Sequence, residues 1–149
     1  MSLTMTKQER EAFLADLHVG VISIEEAGRG PLTVPIWYDY EPGGELWIIT
    51  DRGSRKGKLL DAAGRFSLCA QTESVPYKYV SVEGPIVSVG ADDLERIGRA
   101  MAYRYLGQEM GDAYLEATRA EAERTDTVCY RMRPEHWLTV DYAKQFSQI

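Results

Sequence analysis

Apolar positions recur along this chain with two periods, one helical and one of two residues, and the changes between them mark out the elements. Thr6-Lys7-Gln8-Glu9 has the form of a capping box, in which the threonine and glutamate side chains each accept a backbone N–H at a helix start. Phe13, Leu14 and Leu17 continue it as one apolar face, and His18 and Gly20 close it. From Val19 the period is two. Val19 to Ile24 is a predicted strand, Ala27-Gly28-Arg29-Gly30 a turn, and Leu32 to Tyr40 a longer strand. In that longer strand Leu32, Val34, Ile36, Tyr38 and Tyr40 share one face, and Thr33, Pro35, Trp37 and Asp39 take the other. Pro42-Gly43-Gly44 is a hairpin turn that returns the chain antiparallel into Leu46 to Thr50.

Leu59-Leu60-Asp61-Ala62-Ala63 reads as a short helix, followed by a strand from Arg65 to Gln71. Tyr77 to Val89 is a long strand whose alternation is interrupted at Gly84-Pro85, where a bulge or bend is predicted. Asp92 is placed to cap a helix with the stripe Leu94, Ile97, Met101 and Tyr105, and Gly107 breaks it. A second helix runs on through Tyr114 and Leu115, and the strands Thr127 to Met132 and Trp137 to Tyr142 flank Pro134. There is no repeat, linker or low-complexity tract. The pattern predicts one domain over residues 1–149, an α+β fold that is mostly β, with six to seven antiparallel strands in a small barrel and peripheral helices.

Composition narrows the class. With 44% hydrophobic and 27% charged residues, the 149-residue chain has a globular composition and enough length for a real core. A net charge of −6 argues against nucleic acid as a partner, since a duplex binder carries a broad basic face. No apolar run reaches membrane-span length, and Met1-Ser2-Leu3-Thr4-Met5 lacks the regions of a signal peptide, so a cytoplasmic address is expected. Cys69 and Cys129 sit in apolar strands and read as buried thiols. Two scattered histidines, His18 and His136, make no metal site. Neither a G-x-S-x-G elbow nor a G-x-G-x-x-G after a strand is present, so no side chain is assigned a catalytic role. Any reactivity is expected to come from a cofactor.

One segment runs against the acidic balance. Arg52-Gly53-Ser54-Arg55-Lys56-Gly57-Lys58 places four cations between a strand and a helix. Such a loop is suited to a phosphate, because helix-start N–H groups point outward and Arg and Lys add charge-assisted hydrogen bonds. A solvated basic turn is the competing reading. Trp37 lies on the polar face of its strand, where a flat aromatic ligand could stack with its phosphate at Arg55 and Lys56.

Thr50-Asp51-Arg52-Gly53-Ser54-Arg55-Lys56-Gly57 resembles the phosphate-binding segment of pyridoxamine 5'-phosphate oxidases. Val34-Pro35-Ile36-Trp37-Tyr38 is similar to the ring-facing strand of that superfamily, and Arg133-Pro134-Glu135-His136-Trp137 with Val140-Asp141-Tyr142-Ala143-Lys144 to its C-terminal strand. The resemblance covers essentially the whole chain. It implies a split β-barrel that dimerises, with two flavin-type cofactors at the subunit interface. It implies that Ser54, Arg55 and Lys56, with Lys58 in addition, bind the cofactor phosphate. Pro35, Ile36 and Trp37 would line the isoalloxazine ring, Ile49 and Thr50 would close the pocket, and Tyr79 falls near a cofactor-touching position. The chain ends in Phe146-Ser147-Gln148-Ile149 without the arginine- and histidine-containing segment that grips pyridoxal phosphate in the true oxidases, so another small-molecule substrate is expected. The resemblance thus implies an FMN-dependent oxidoreductase. Its alternatives are a reductase using the deazaflavin coenzyme F-420, or a non-catalytic flavin- or haem-binding module.

Overall fold

Residues 2–146 are described by a computed structural model; Met1 and Ser147-Gln148-Ile149, on which the readings of the chain's start and end partly rest, lie outside the described residues. In chain order the elements are α1 (Lys7–Ala15), β1 (Gly20–Ile24), β2 (Leu32–Ile36), β3 (Asp39–Tyr40), β4 (Leu46–Asp51), α2 (Arg55–Ala63) and β5 (Arg65–Gln71). They continue with β6 (Lys78–Gly90), α3 (Leu94–Arg124), β7 (Thr127–Met132), β8 (His136–Asp141) and α4 (Ala143–Phe146). Among the described residues no helix is long and apolar enough to cross a membrane.

All pairings are antiparallel, and the strands follow the path β2-β1-β5-β6-β7-β4-β3, with β8 paired to β6 off that path. The fold is the expected split barrel: a curled antiparallel sheet with helices at its periphery. The period-two pattern supplies its interior. Ile22, Leu46, Ile48, Leu68, Val80 and Tyr130 have no exposed surface, and each is one step out of phase with a half-exposed neighbour. Burial of each such side chain contributes about 1.5–3 kcal/mol.

β6 is the hub. Its first half, Lys78 to Glu83, lies between β5 and β8, and from Ile86 to Gly90 its partner on the β8 side becomes β7. The changeover falls at the predicted interruption, with a register shift between Ile86 and Ser88. Here the β7–β8 connection crosses close over Gly84, where a Cβ would stand 1.8 Å from the Arg133 carbonyl oxygen. Arg133 N–H then bonds the Pro85 carbonyl at 3.0 Å and Glu135 N–H the Glu83 carbonyl at 2.9 Å. Only glycine leaves room for that crossing.

Several local expectations are met and others corrected. The Thr6–Glu9 capping box is formed, but α1 ends at Asp16, ahead of His18 and Gly20, because Asp16 is already extended (φ −68°, ψ 164°) and its N–H closes on Ala12 and Phe13. Gly43 adopts positive φ in the β3–β4 hairpin, and Gly107 (φ 78°, ψ 174°) breaks α3 as expected. The residue before α3 is Asp93, in a left-handed conformation without a side-chain cap, so Asp92 does not cap it. Cys129 is buried, whereas Cys69 is only half-buried, since it lies on the outward face of β5 beside buried Leu68 and Ala70. The predicted strand from Leu32 to Tyr40 is divided at Trp37-Tyr38 into β2 and β3, which raises the strand count to eight. The division has a geometric cause: β2 and β3 lie at opposite ends of the strand path, so one continuous strand cannot serve both.

Two glycine substitutions separate close approach from simple chain entropy. Gly84→Ala is expected to destabilise the protein by about 3 kcal/mol through overpacking. Gly98→Ala, in α3 with open space around its Cβ position, is expected to stabilise it by about 0.5–1 kcal/mol. Urea unfolding followed by circular dichroism measures both.

Candidate functional site

The site lies where the curled sheet fails to close. β2 and β3, its two end strands, are joined only by Trp37-Tyr38, and the Tyr38 backbone has no place in either ladder. Tyr105 of α3 supplies the missing partner. Its hydroxyl accepts from Tyr38 N–H at 3.0 Å and lies 2.6 Å from the His18 carbonyl and 3.0 Å from the Tyr38 carbonyl, to which it can donate. Burial pushes the Tyr105 phenol above its ordinary pKa, so it remains a neutral donor.

The Tyr105 ring also stacks on Trp37, with centroids 4.9 Å apart and planes within 5°, and Tyr114 approaches the same indole at 5.3 Å from beyond the Gly107 break. Arg104 fastens this arrangement to α1. It donates to the Ala15 and Asp16 carbonyls at 3.1 and 2.9 Å, a favourable place for a cation at a helix C-terminus, and stands 3.5 Å from the Asp39 carboxylate. The Tyr38 hydroxyl completes the join by donating to the Leu14 carbonyl at 2.7 Å.

Beside this seam is a cleft of about 310 Å³. Pro35, Ile36 and Trp37 form one lip with Val19, and Ile49, Met101 and Lys56 form the others. Five residues predicted from sequence (Pro35, Ile36, Trp37, Ile49 and Lys56) are thus brought together from β2, the seam, β4 and α2. The linear pattern does not single out Val19 or Met101 for the site, although Met101 is legible as a neighbour of Tyr105 on the same helical stripe.

The β4–α2 loop is built by backbone constraint. Ser54 is the N-cap of α2: its hydroxyl donates to the Asp51 carbonyl at 2.6 Å and accepts from Gly57 N–H at 3.1 Å. Gly57 lies so close to the loop that a Cβ would stand 2.4 Å from the Asp51 carbonyl oxygen. Beneath it, buried Tyr130 donates to Asp61 at 3.1 Å, with its phenol pushed up to about 12 chiefly by burial.

The loop's cations are not equivalent. Arg52 is paired with Asp61 at 3.0 Å and Arg55 with Glu26 at 2.7 Å. Lys58 is exposed. Lys56 is half-buried in the cleft wall, has no partner among the described residues, and its ammonium is pulled below the ordinary lysine range by burial alone. An unpaired cation beside an apolar, aromatic wall is suited to an anionic group attached to a flat ring.

The remaining predicted positions lie outside the cleft walls. Ser54 and Arg55 begin α2 next to Lys56, Lys58 faces solvent, and Thr50 alternates away from Ile49 on β4. Tyr79 is on the same sheet face as Pro35 but three strands away, two residues along β6 from the end of the row Pro35–Val21–Cys69–Ser81, which itself spans roughly 14 Å at ordinary strand spacing. Among the described residues no cluster of His, Cys, Asp or Glu is arranged to hold a metal ion.

The family profile described as pyridoxamine 5'-phosphate oxidase matches residues 6–141, and the chain belongs to that family. No curated protein gives a significant match. Among solved structures, the fold is similar to that of a conserved hypothetical protein from Mycobacterium tuberculosis (TM-score 0.77, 20% identity, covering 97% of this chain and 89% of that one). It is similar also to an F420 reductase (0.70, 19%, 86% and 94%) and to an FAD-binding protein from Mesorhizobium loti (0.64, 19%, 91% and 94%). At these identities the likeness is one of fold.

Tyr105→Phe tests the seam. Loss of the hydroxyl strands the Tyr38 N–H, and the expected cost is about 1–3 kcal/mol in unfolding free energy with secondary structure retained. An unchanged denaturation midpoint would show that Tyr38 finds another partner.

Proposed function

We propose that the protein is an oxidoreductase that binds a phosphorylated flavin-type cofactor, FMN, in this cleft and acts on an unidentified small molecule. The carrying observation is Lys56: a half-buried ammonium without a partner among the described residues, on the wall of a cleft whose other walls are Pro35, Ile36, Trp37 and Ile49. Lys56 would hold the phosphate, with Arg55 and the α2 N-terminus beside it and Lys58 at the rim. The apolar lip would hold the ring, Tyr105 keeping Trp37 in place. When bound, the cofactor supplies hydride or electron transfer at its ring, which no side chain here offers. The protein's part is to orient that ring and shield one edge from water.

A second reading is the deazaflavin coenzyme F-420, whose ring and phosphate the same cleft and loop would take; the likeness of the fold to that of an F420 reductase supports it. A non-catalytic flavin- or haem-binding module is the remaining alternative. The absorbance spectrum and mass of the chromophore that co-purifies decide among them. A colourless protein that binds none of these would overturn the proposal.

Lys56→Ala is expected to weaken FMN by roughly tenfold to a hundredfold, the loss of one charge-assisted hydrogen bond, and riboflavin by much less. The affinity also carries a pH signature. The free-state pKa of Lys56 lies below the ordinary 10.5 and a bound phosphate raises it, so FMN affinity falls as pH rises through that lowered value. Lys56→Arg removes the fall.

A homodimer with the cofactor at its interface is part of the same proposal. The outward row Pro35, Val21, Cys69, Ser81 and nearby Tyr79 offers a broad sheet face on which a second copy would lie, and the chain's 3 Trp, 9 Tyr and 3 Phe suit an interface. Light scattering at micromolar concentration should give twice the chain mass of 16.8 kDa.

A further inference from the structure

We propose that the groove between the two halves of α3 is the chamber for the small-molecule substrate, and that it admits an organic cation with an apolar body. The substrate role rests on the proposed cofactor cleft; the groove as a binding site does not.

Gly107 divides α3 into an inner arm, 94–106, and an outer arm, 108–124. The arms are pinned together just past the break. A Cβ on Gly111 would stand 2.6 Å from the Tyr103 ring, and the Tyr103 hydroxyl donates to Asp112. Beyond that vertex a groove of about 1000 Å³ runs between them. Leu94 and Gly98 belong to its inner wall and Leu115 and Ala122 to its outer wall, at the helical spacing of one face on each arm. Nothing lies within 4 Å of the Gly98 Cβ position, so the inner wall is open there. Paired helices ordinarily close such a space by interdigitating their side chains at axial distances of about 8–10 Å. A space of this size has the dimensions of a ligand site.

The groove ends on β4 and β7, at Ile49 and Thr127. Ile49 is also a wall of the cleft that contains Lys56 and Trp37, so the two cavities meet at one side chain. A molecule lying in the groove therefore has one end beside the cofactor cleft.

Charge selects the occupant. Five carboxylates, Glu95, Asp112, Glu116, Glu123 and Asp126, line the groove against two guanidiniums, Arg99 and Arg119. Each arginine is held by a carboxylate of its own arm, Arg99 by Glu95 at 3.9 Å and Arg119 by Glu116 at 2.8 Å. Glu123 and Asp126 form no ion pair among the described residues, and Arg52, whose charge Asp126 supports, is bonded to Asp61. Whatever the pairing, the lining keeps an excess of three negative charges. That excess disfavours a second copy of this chain, whose own net charge is −6. An ammonium meets complementary charge there, while its hydrocarbon part lies against Leu94, Leu115 and Ile49.

Three probes that share one aromatic body, naphthylethylammonium, naphthylethanol and naphthylacetate, test the groove. Each is titrated at low salt and pH 7 into wild type, Gly98→Leu, and Glu123→Gln combined with Asp126→Asn, and amide shifts are followed in proton–nitrogen correlation spectra. The ammonium is expected to shift amides of both arms and of Ile49, and to bind on the order of tenfold tighter than the acetate. Gly98→Leu fills the groove and weakens all three probes by about tenfold. The double variant brings ammonium and acetate to within about threefold, and both variants keep the wild-type circular dichroism spectrum and FMN affinity. Acetate bound as tightly as the ammonium, shifts confined to other surfaces, or binding unmoved by Gly98→Leu overturns the groove as a cation site. A lower light-scattering mass on Gly98→Leu overturns it too, since the occupant is then a second copy. With FMN bound, the ammonium is expected to shift the flavin absorbance band; an unmoved band overturns the substrate role and leaves the cation groove standing. Wild type that takes the ammonium but neither flavin nor deazaflavin overturns the cofactor cleft, and the substrate role with it, but not the groove.

Discussion

A break in a sheet leaves backbone groups without partners, and this protein's site is organised around one such break. Where β2 ends and β3 begins, the Tyr38 N–H and carbonyl belong to no ladder; the Tyr105 hydroxyl accepts from that N–H and shares its single proton between the His18 carbonyl at 2.6 Å and the Tyr38 carbonyl at 3.0 Å. Leaving such groups unpaired inside a protein costs more than a typical net hydrogen bond contributes, so the position of α3 is tied to the seam. Because the same tyrosine ring lies flat on Trp37, satisfying the backbone also orients an aromatic lip of the cleft. Structural repair and site construction are here one interaction.

The β4–α2 loop is the opposite case. Its path is enforced by features that leave no freedom: Gly57 against the Asp51 and Arg52 carbonyls, the Ser54 cap, and Tyr130 with Asp61 underneath. The Ser54 hydroxyl, a natural ligand for phosphate on sequence grounds, directs its proton to the Asp51 carbonyl. The loop's cations divide between pairing and availability, and what separates them is burial and the reach of carboxylates from elsewhere in the fold. A count of positive charges in the segment therefore overstates the field that a ligand would meet.

β6 connects these two regions. By serving β5 and β8 over one half and β7 over the other, it curls the sheet enough to bring β4 and β2 to one cleft. The turn in its course depends on a single missing side chain, at Gly84. Proline at 85 suits the same place, since its absent N–H removes a donor where the ladder changes partner.

Much of this is legible in the linear pattern. Period-two alternation marks seven strands, the Thr6–Glu9 box and the Gly107 break mark helix boundaries, and Gly84-Pro85 marks the bend, because these are local requirements of backbone geometry. The cationic loop, Trp37 and the family resemblance point to five of the residues that line the cleft. What tertiary structure alone decided were matters of closure and charge pairing. The division of Leu32 to Tyr40 follows from the ends of the sheet lying apart, and the pairing of Arg55 with Glu26 spans 29 residues of sequence. Tyr105, readable as one more residue on an apolar stripe, is the partner of an orphaned backbone. Local sequence specifies which groups need satisfying; only the folded chain determines which distant side chain is near enough to do it.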